Sequence, residues 1–344
     1  MTDYIFDVLK RILEIPSPTG FTEKAMDMIE REITGFKGAF EIRKMKKGAL
    51  VAVLKGKSRR SVVLDAHVDT LGAMVKEIKA NGRLVLEPVG GFLMTAVECE
   101  NVMIHTETGG RHTGVILSNS QSVHVYDDAR KLERKAANME IRIDGRYGDA
   151  DSVRADGIAV GDFISFDPRA VITDNGFIKS RFLDDKASVA ILLALMKRLG
   201  AEGYEPQRDV FFYFNNTEEV GAGSANGMDN NCEEFIAVDM GAPGRGQESD
   251  EYTVSICAKD SSGPYDLSLR RELVATAKKY KIPYKVDLYP HYGSDASAAR
   301  RTLLDIRTIV VGPGVDASHA YERTHKESLE ATAELLYHYL KKEI

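Results

Sequence analysis

The chain of 344 residues is 43% hydrophobic and 28% charged, the balance of an ordinary globular protein with room for one substantial domain and a smaller one. A net charge of −6 without any basic block argues against nucleic acid and anionic membrane surfaces as partners. Three scattered cysteines (Cys99, Cys232, Cys257) argue against a disulfide framework and, with an acid-bearing N-terminus that lacks an apolar core, point to a cytoplasmic protein without a signal peptide or membrane span.

Apolar residues at Ile5, Val8, Leu9, Ile12 and Leu13 have helical spacing over residues 3–15, and the Pro16-Ser17-Pro18-Thr19-Gly20 cluster ends that segment. A second helix is expected near 22–33, then strands near 50–54 and 61–66. From Leu71 short alternating runs at 83–86, 102–106, 115–117, 139–143 and 163–166 are separated by Gly, Asn and Asp turns, an all-β pattern. Residues 123–135 are charged and without period, which predicts a loop. After Phe166 the texture reverts: a helix apolar on nearly every side at 186–199, strands near 210–215, 235–239, 253–257 and 306–311, and helices near 267–280 and 328–342. This order predicts an α/β fold, a central mixed sheet flanked by helices, interrupted by an inserted β-rich domain. Residues 1–70 and 164–344 would form the main domain and 71–163 the insertion.

The chemistry-bearing residues stand where strands end: His67 and Asp69 in VVLDAHVD, Asp184 and Asp185 in RFLDDK, Glu218 and Glu219 in FFYFNNTEEVG, Asp239 in FIAVDMG, and His319 in ASHAYERTH. Carboxyl ends of strands line the crevice where open α/β sheets bind ligands. Imidazoles and carboxylates together suit a pair of divalent metals, which need one bridging carboxylate and terminal ligands on each side. His67 would be one terminal ligand, with the Asp69 carboxylate against its outer ring nitrogen. One member of the Asp184-Asp185 pair would bridge. Of Glu218 and Glu219, one would ligate and the other would stay free as general base. Asp239 and His319 would supply one further position on each metal. Taken singly, each element reads as a turn acid, a helix-start acid or a surface imidazole. Their common placement at strand ends is what gives them joint meaning.

The order HVD, LDDK, TEEVG, VDM and a late SHxxE resembles the dinuclear metallo-aminopeptidases of the tetrahedral (TET), glutamyl and deblocking type, and matching segments (IPSPTG, FDPRAVITDNGFIKSRFLDDK, KIPYKVDLYPHYGSDASAA) extend it over nearly the whole chain. The resemblance implies a zinc-exopeptidase-like fold. It also implies His67 and Asp239 on one metal, Glu219 and His319 on the other, Asp184 as bridge, Glu218 as general base, Asp69 as partner of His67, and a cis peptide between Asp184 and Asp185. It further implies two divalent ions per subunit (zinc or cobalt, with manganese a third candidate) and short peptides as substrates. The inserted β-barrel-like domain would serve oligomerisation, from dimers to a dodecamer, and limit substrate access. Lys186 stands where relatives carry arginine, and His325 is a rival to His319. His319 is preferred because Glu322 follows at the position where relatives carry an acid. Gly293-Ser294-Asp295 resembles a cleft segment or, equally, a capped helix start, and His291 and Tyr292 are candidates for the side-chain pocket. His105, His112, His124 and His338 are read as surface or loop residues. A carboxypeptidase or N-acyl amino-acid deacylase with the same metal pair, and a non-enzymatic metal-binding assembly protein, are the alternatives.

Overall fold

The computed structural model describes residues 1–223, 228, 230–302 and 304–342. Its framework is a mixed sheet that starts with β1 (Phe40–Lys44), β2 (Leu50–Leu54) and β3 (Ser61–His67). The chain then leaves the sheet to build a closed barrel from β4 (Gly72–Ile78), β5 (Leu84–Val89), β6 (Asn101–His105), β7 (Arg111–Ser118), β8 (Met139–Ile143) and β9 (Phe163–Phe166), in the order β4-β5-β8-β7-β6-β9. Strand β9 closes the barrel, so residues 164–166 go with the insertion and not with the main domain as the sequence suggested. Residues 123–135 hold no regular element, and Arg134 ties this loop to Glu98.

A small sheet of β10 (Val171–Ile172) and β11 (Phe177–Ser180) brings the chain back. The main sheet is completed by β12 (Asp209–Asn215), β13 (Cys232–Val238), β14 (Val254–Asp260), β15 (Gly263–Pro264), β16 (Tyr284–Leu288) and β17 (Arg307–Pro313). Strand β18 (Glu322–His325) joins the small sheet beside β11. The helices are α1 (Thr2–Leu13), α2 (Glu23–Thr34), α3 (Ala150–Ala155), α4 (Leu183–Ala201), α5 (Leu267–Tyr280), α6 (Asp295–Ala299) and α7 (Lys326–Leu340).

Strand order in the main sheet is β1-β2-β12-β3-β13-β17-β14-β15, with β16 on β14. Neighbours β12, β3, β13 and β17 run parallel, and every residue of β2, β3 and β12 is buried. Strands buried on both faces read as continuous apolar runs, which is why VVL and VFFYF show no alternation. Helix α4 is buried on nearly all sides and packs against α1, α7 and β3, so its sequence, too, lacks a polar stripe. The functional consequence lies in the register. Asn215 pairs with His67, so β12 and β3 end level with one another. The segments after β12, β3 and β13 therefore emerge at one edge of the sheet. Among the described residues no helix is long and apolar enough to cross a membrane.

Candidate active site

His67 is the last residue of β3 and is buried. Its backbone N–H donates to Asp185 Oδ2 at 3.3 Å, and its Nδ1 lies 3.0 Å from the carbonyl oxygen of Asp69. That contact sets the tautomer and leaves Nε2 facing inward. The expected carboxylate contact is therefore secondary, with Asp69 Oδ1 3.5 Å from Nδ1. The Asp69 carboxylate is committed elsewhere: it accepts the Thr19 hydroxyl at 2.6 Å and the N–H groups of Glu218 and Glu219, each at 3.2 Å. One carboxylate thus pins the glutamate turn to the end of β3, a role its sequence position did not disclose.

His67 Nε2 lies 3.2 Å from Asp184 Oδ1 and 3.8 Å from Glu218 Oε2. On the other side, His319 Nε2 lies 3.5 Å from both Asp184 Oδ2 and Glu219 Oε2. The two oxygens of Asp184 thus face two different imidazoles. The Asp184-Asp185 peptide is cis, as the resemblance implied. Asp239 follows β13, where Oδ1 accepts the Met240 N–H at 2.6 Å. His67, Asp184 and Glu219 place ligand atoms within 4.8 Å of one another, and so do His67, Asp185 and Asp239. Asp185, read from sequence only as the neighbour of the bridge, thus comes closer to Asp239 and His67 than expected.

His325 is directed elsewhere. Its Nε2 lies 2.9 Å from the Asn175 carbonyl, its Nδ1 accepts the Glu327 N–H, and its ring packs between Phe177 and Tyr252. His319 keeps Nε2 free because Nδ1 donates to the Gly91 carbonyl at 2.5 Å. Gly91 belongs to the segment after β5 of the barrel, so the insertion orients a side chain of the main domain. His105, read as a surface residue, is buried on β6, bonded to Ser165 and stacked on Phe21; burial lowers its pKa to about 4.

Burial, reinforced by the Asp184 charge, raises Glu219 to about 8 and Asp239 to about 7. Burial and the Asp239, Asp295 and Glu219 charges hold Glu218 well above the carboxyl range, with His67 opposing. Burial disfavours the charged forms of Asp184 and both histidines, yet their mutual contacts prevail. Asp184 is held well below its ordinary value, His67 well above, and His319 is raised to about 10. Glu219 Oε1 is buried and accepts no hydrogen bond among the described residues. A carboxylate oxygen left bare beside two imidazoles and further acids fits a divalent ion and has no apolar explanation.

The pH consequence follows from these values. Carboxyls that titrate near 7 and 8 when folded but near 4 when unfolded hold protons longer in the folded state. The metal-free protein should lose stability as pH rises from about 5 to about 8. His319, raised to about 10, adds stability at low pH and changes in the same direction. Metal ions favour the ionised ligands, so their stabilisation should grow over that interval and their uptake should release protons. Thermal unfolding at several pH values with and without zinc checks this, and a metal-free midpoint that climbs with pH would contradict it.

The sequence profile of the M42 glutamyl aminopeptidase family matches residues 48–335. The chain belongs to this family. YhfE of Bacillus subtilis (strain 168) is 51% identical over 335 residues, covering 97% of this chain and 96% of that one. Lysyl aminopeptidase of Pyrococcus furiosus is 24% identical, covering 92% and 90%. Among solved structures, the TET aminopeptidase of a Thaumarchaeota archaeon superposes with a TM-score of 0.89 at 19% identity, covering 99% and 96%. The dodecameric PhTET1-12s gives 0.86 at 24%, covering 98% and 99%. Both structural likenesses bear on the fold, and the inserted barrel goes with it. Membership makes this M42 chain a peptide hydrolase of the aminopeptidase type.

Beside the acidic cluster lies a cleft of about 450 Å³. Its other wall carries Ser261, Ser262, His291, Tyr292, Ser294 and Arg301. The Ser294-Asp295 segment starts helix α6, where the Ser294 N–H donates to Ser297 Oγ at 3.0 Å. Both readings of Gly293-Ser294-Asp295 therefore meet in one place, a capped helix start at the cleft.

Proposed function

We propose that this aminopeptidase removes N-terminal residues from short peptides with the help of two divalent metal ions, zinc or cobalt first and manganese third. The observation that carries the reading is the Asp184 carboxylate, with one oxygen facing His67 and the other facing His319. His67 and Asp239 would hold one ion, Glu219 and His319 the other, and Asp184 would bridge. Bound there, the ions would polarise the scissile carbonyl and bring the pKa of water toward neutrality.

The remaining work falls to the chain. Glu218, at the cleft and 3.8 Å from His67 Nε2, takes the proton from the attacking water and passes it to the leaving amine. Asp69 holds the Glu218-Glu219 turn, and through its carbonyl the His67 ring. The substrate's free amino group would sit against the second ion and the carboxylates around it, which confines cleavage to the N-terminus. The serines, His291 and Arg301 opposite would take the first side chain.

Assembly into homo-oligomers through the barrel is supported by large apolar side chains left exposed on it or its loops, with Leu93 at 73% and Val125 at 72% exposure. Metal-free protein reconstituted with zinc or cobalt should bind two ions per chain. It should cleave unblocked short peptides and spare their N-acetylated forms. Two-metal chemistry is abandoned if mass spectrometry finds one ion or none in fully active enzyme.

A further inference from the structure

We propose that Glu322 is a positioning residue that sets the metal position of Glu219 and His319 by fastening the backbones of Asp184 and His319 to each other. The inference rests on the two-metal reading above. The Glu322 side chain is buried, at 2% exposure, and each of its oxygens has one partner. Oε2 accepts the Asp184 N–H at 2.9 Å and Oε1 accepts the His319 N–H at 3.0 Å. Burial and the Asp184 charge push the Glu322 pKa well above its ordinary value, and the two backbone N–H donors oppose them, so the tie rests on geometry: one oxygen to each N–H.

The two tied segments have little else in common. Asp184 opens α4, and His319 lies in the loop between β17 and β18 with φ of 63°, a left-handed backbone that a side-chain-bearing residue adopts where its surroundings hold it. Glu322 itself is not on a loop. It is the first residue of β18 and pairs across to Ser180 at the end of β11, the strand that leads into α4. A strand residue thus measures the gap between the bridging carboxylate and the second imidazole, whose Oδ2–Nε2 separation is 3.5 Å.

The His67 half has separate anchors. Its backbone is held by Asp185 and its ring by the Asp69 carbonyl, and neither contact involves Glu322. Loss of the Glu322 tie should therefore loosen one metal position much more than the other. A residue that merely supports the scaffold would not separate the two.

Glu322→Gln keeps the shape but offers one accepting oxygen, so one backbone N–H meets an amide donor. Glu322→Asp keeps the carboxyl group but is a methylene too short to span both partners. Metal-free wild type and both variants are titrated with cobalt(II), followed by visible absorption, with circular dichroism as the check on folding. The wild type should bind two equivalents. In the variants one equivalent should bind about 10–100-fold more weakly and the other, which shares Asp184 but keeps its own His67 anchors, should lose much less, and peptidase turnover should recover in excess cobalt. Wild-type affinity for both equivalents in either variant overturns the proposal, as does equal weakening of both. If both variants fail to fold, Glu322 belongs to the scaffold and the proposal is again overturned. Fewer than two equivalents on the wild type would instead sink the two-metal reading itself, and the inference with it.

Discussion

Glu218→Gln is expected to lower turnover by about 10²–10⁴-fold while leaving bound metal at the wild-type level. Glu218 and Glu219 are adjacent, yet the fold gives them different surroundings. The Glu219 side chain is 2% exposed, with one oxygen 3.5 Å from His319 Nε2 and the other without a hydrogen-bond partner among the described residues. Both line the cleft, but the Glu218 side chain is 15% exposed and comes no nearer to His67 Nε2 than 3.8 Å. One is thus placed to ligate and the other to meet the water and the substrate. Glutamine preserves the shape of Glu218, and the turn keeps its backbone bonds to Asp69. It also removes a carboxyl that burial and neighbouring acids already disfavour as an anion, so the metal-free fold should not suffer. Turnover and metal content, measured on the same sample, give the answer. Near-normal activity would remove Glu218 from catalysis, and loss of metal would mean that the two glutamates exchange roles.

That proposed division of labour was legible in the residues only as a choice between two neighbours. What could be read well was whatever depends on local pattern. The buried runs of β2, β3 and β12, the apolar helix α4 and the amphipathic α5 stood out, and so did the reactive groups at strand ends. Elements defined by distant pairing could not be read. Strands β1, β16 and β18 carry charged or polar residues in FEIRK, YKVDL and ERTH, and their strand character comes from β2, β14 and β11. The same limit applied to the last histidine. His319 and His325 sit in one polar segment, and only the pairing of β18 with β11 turns His325 toward Phe177 and Asn175. The acceptor for His319 Nδ1 comes from Gly91 in the barrel, a contact no local pattern encodes. Glu322 was visible as an acid three residues beyond His319, but its hold on the Asp184 backbone was not. The Asp69 carboxylate was expected on an imidazole; it lies 3.5 Å from the His67 ring, behind the closer carbonyl of the same residue, and it also fastens the glutamate turn.

Asp184→Asn should have the second large effect, and its signature differs from that of Glu218→Gln. Among the described residues Asp184 is the acid whose two oxygens approach both imidazoles, and its pKa is held well below its ordinary value by His319 and His67 against the effect of burial. An amide at this position offers one neutral oxygen in place of two sharing a negative charge, so it can serve one ion at most. Metal content should fall to one equivalent or less, with activity reduced by at least the factor expected for Glu218→Gln. The metal-free variant should also show lower pKa values at Glu219 and Asp239, since the Asp184 charge raises both. Its stability should therefore decline less steeply between about pH 5 and about pH 8 than that of metal-free wild type. Full metal content in Asp184→Asn would show that the bridge is another carboxylate, and Asp185, within 4.8 Å of the His67 and Asp239 ligand atoms, is the residue to which that result would point.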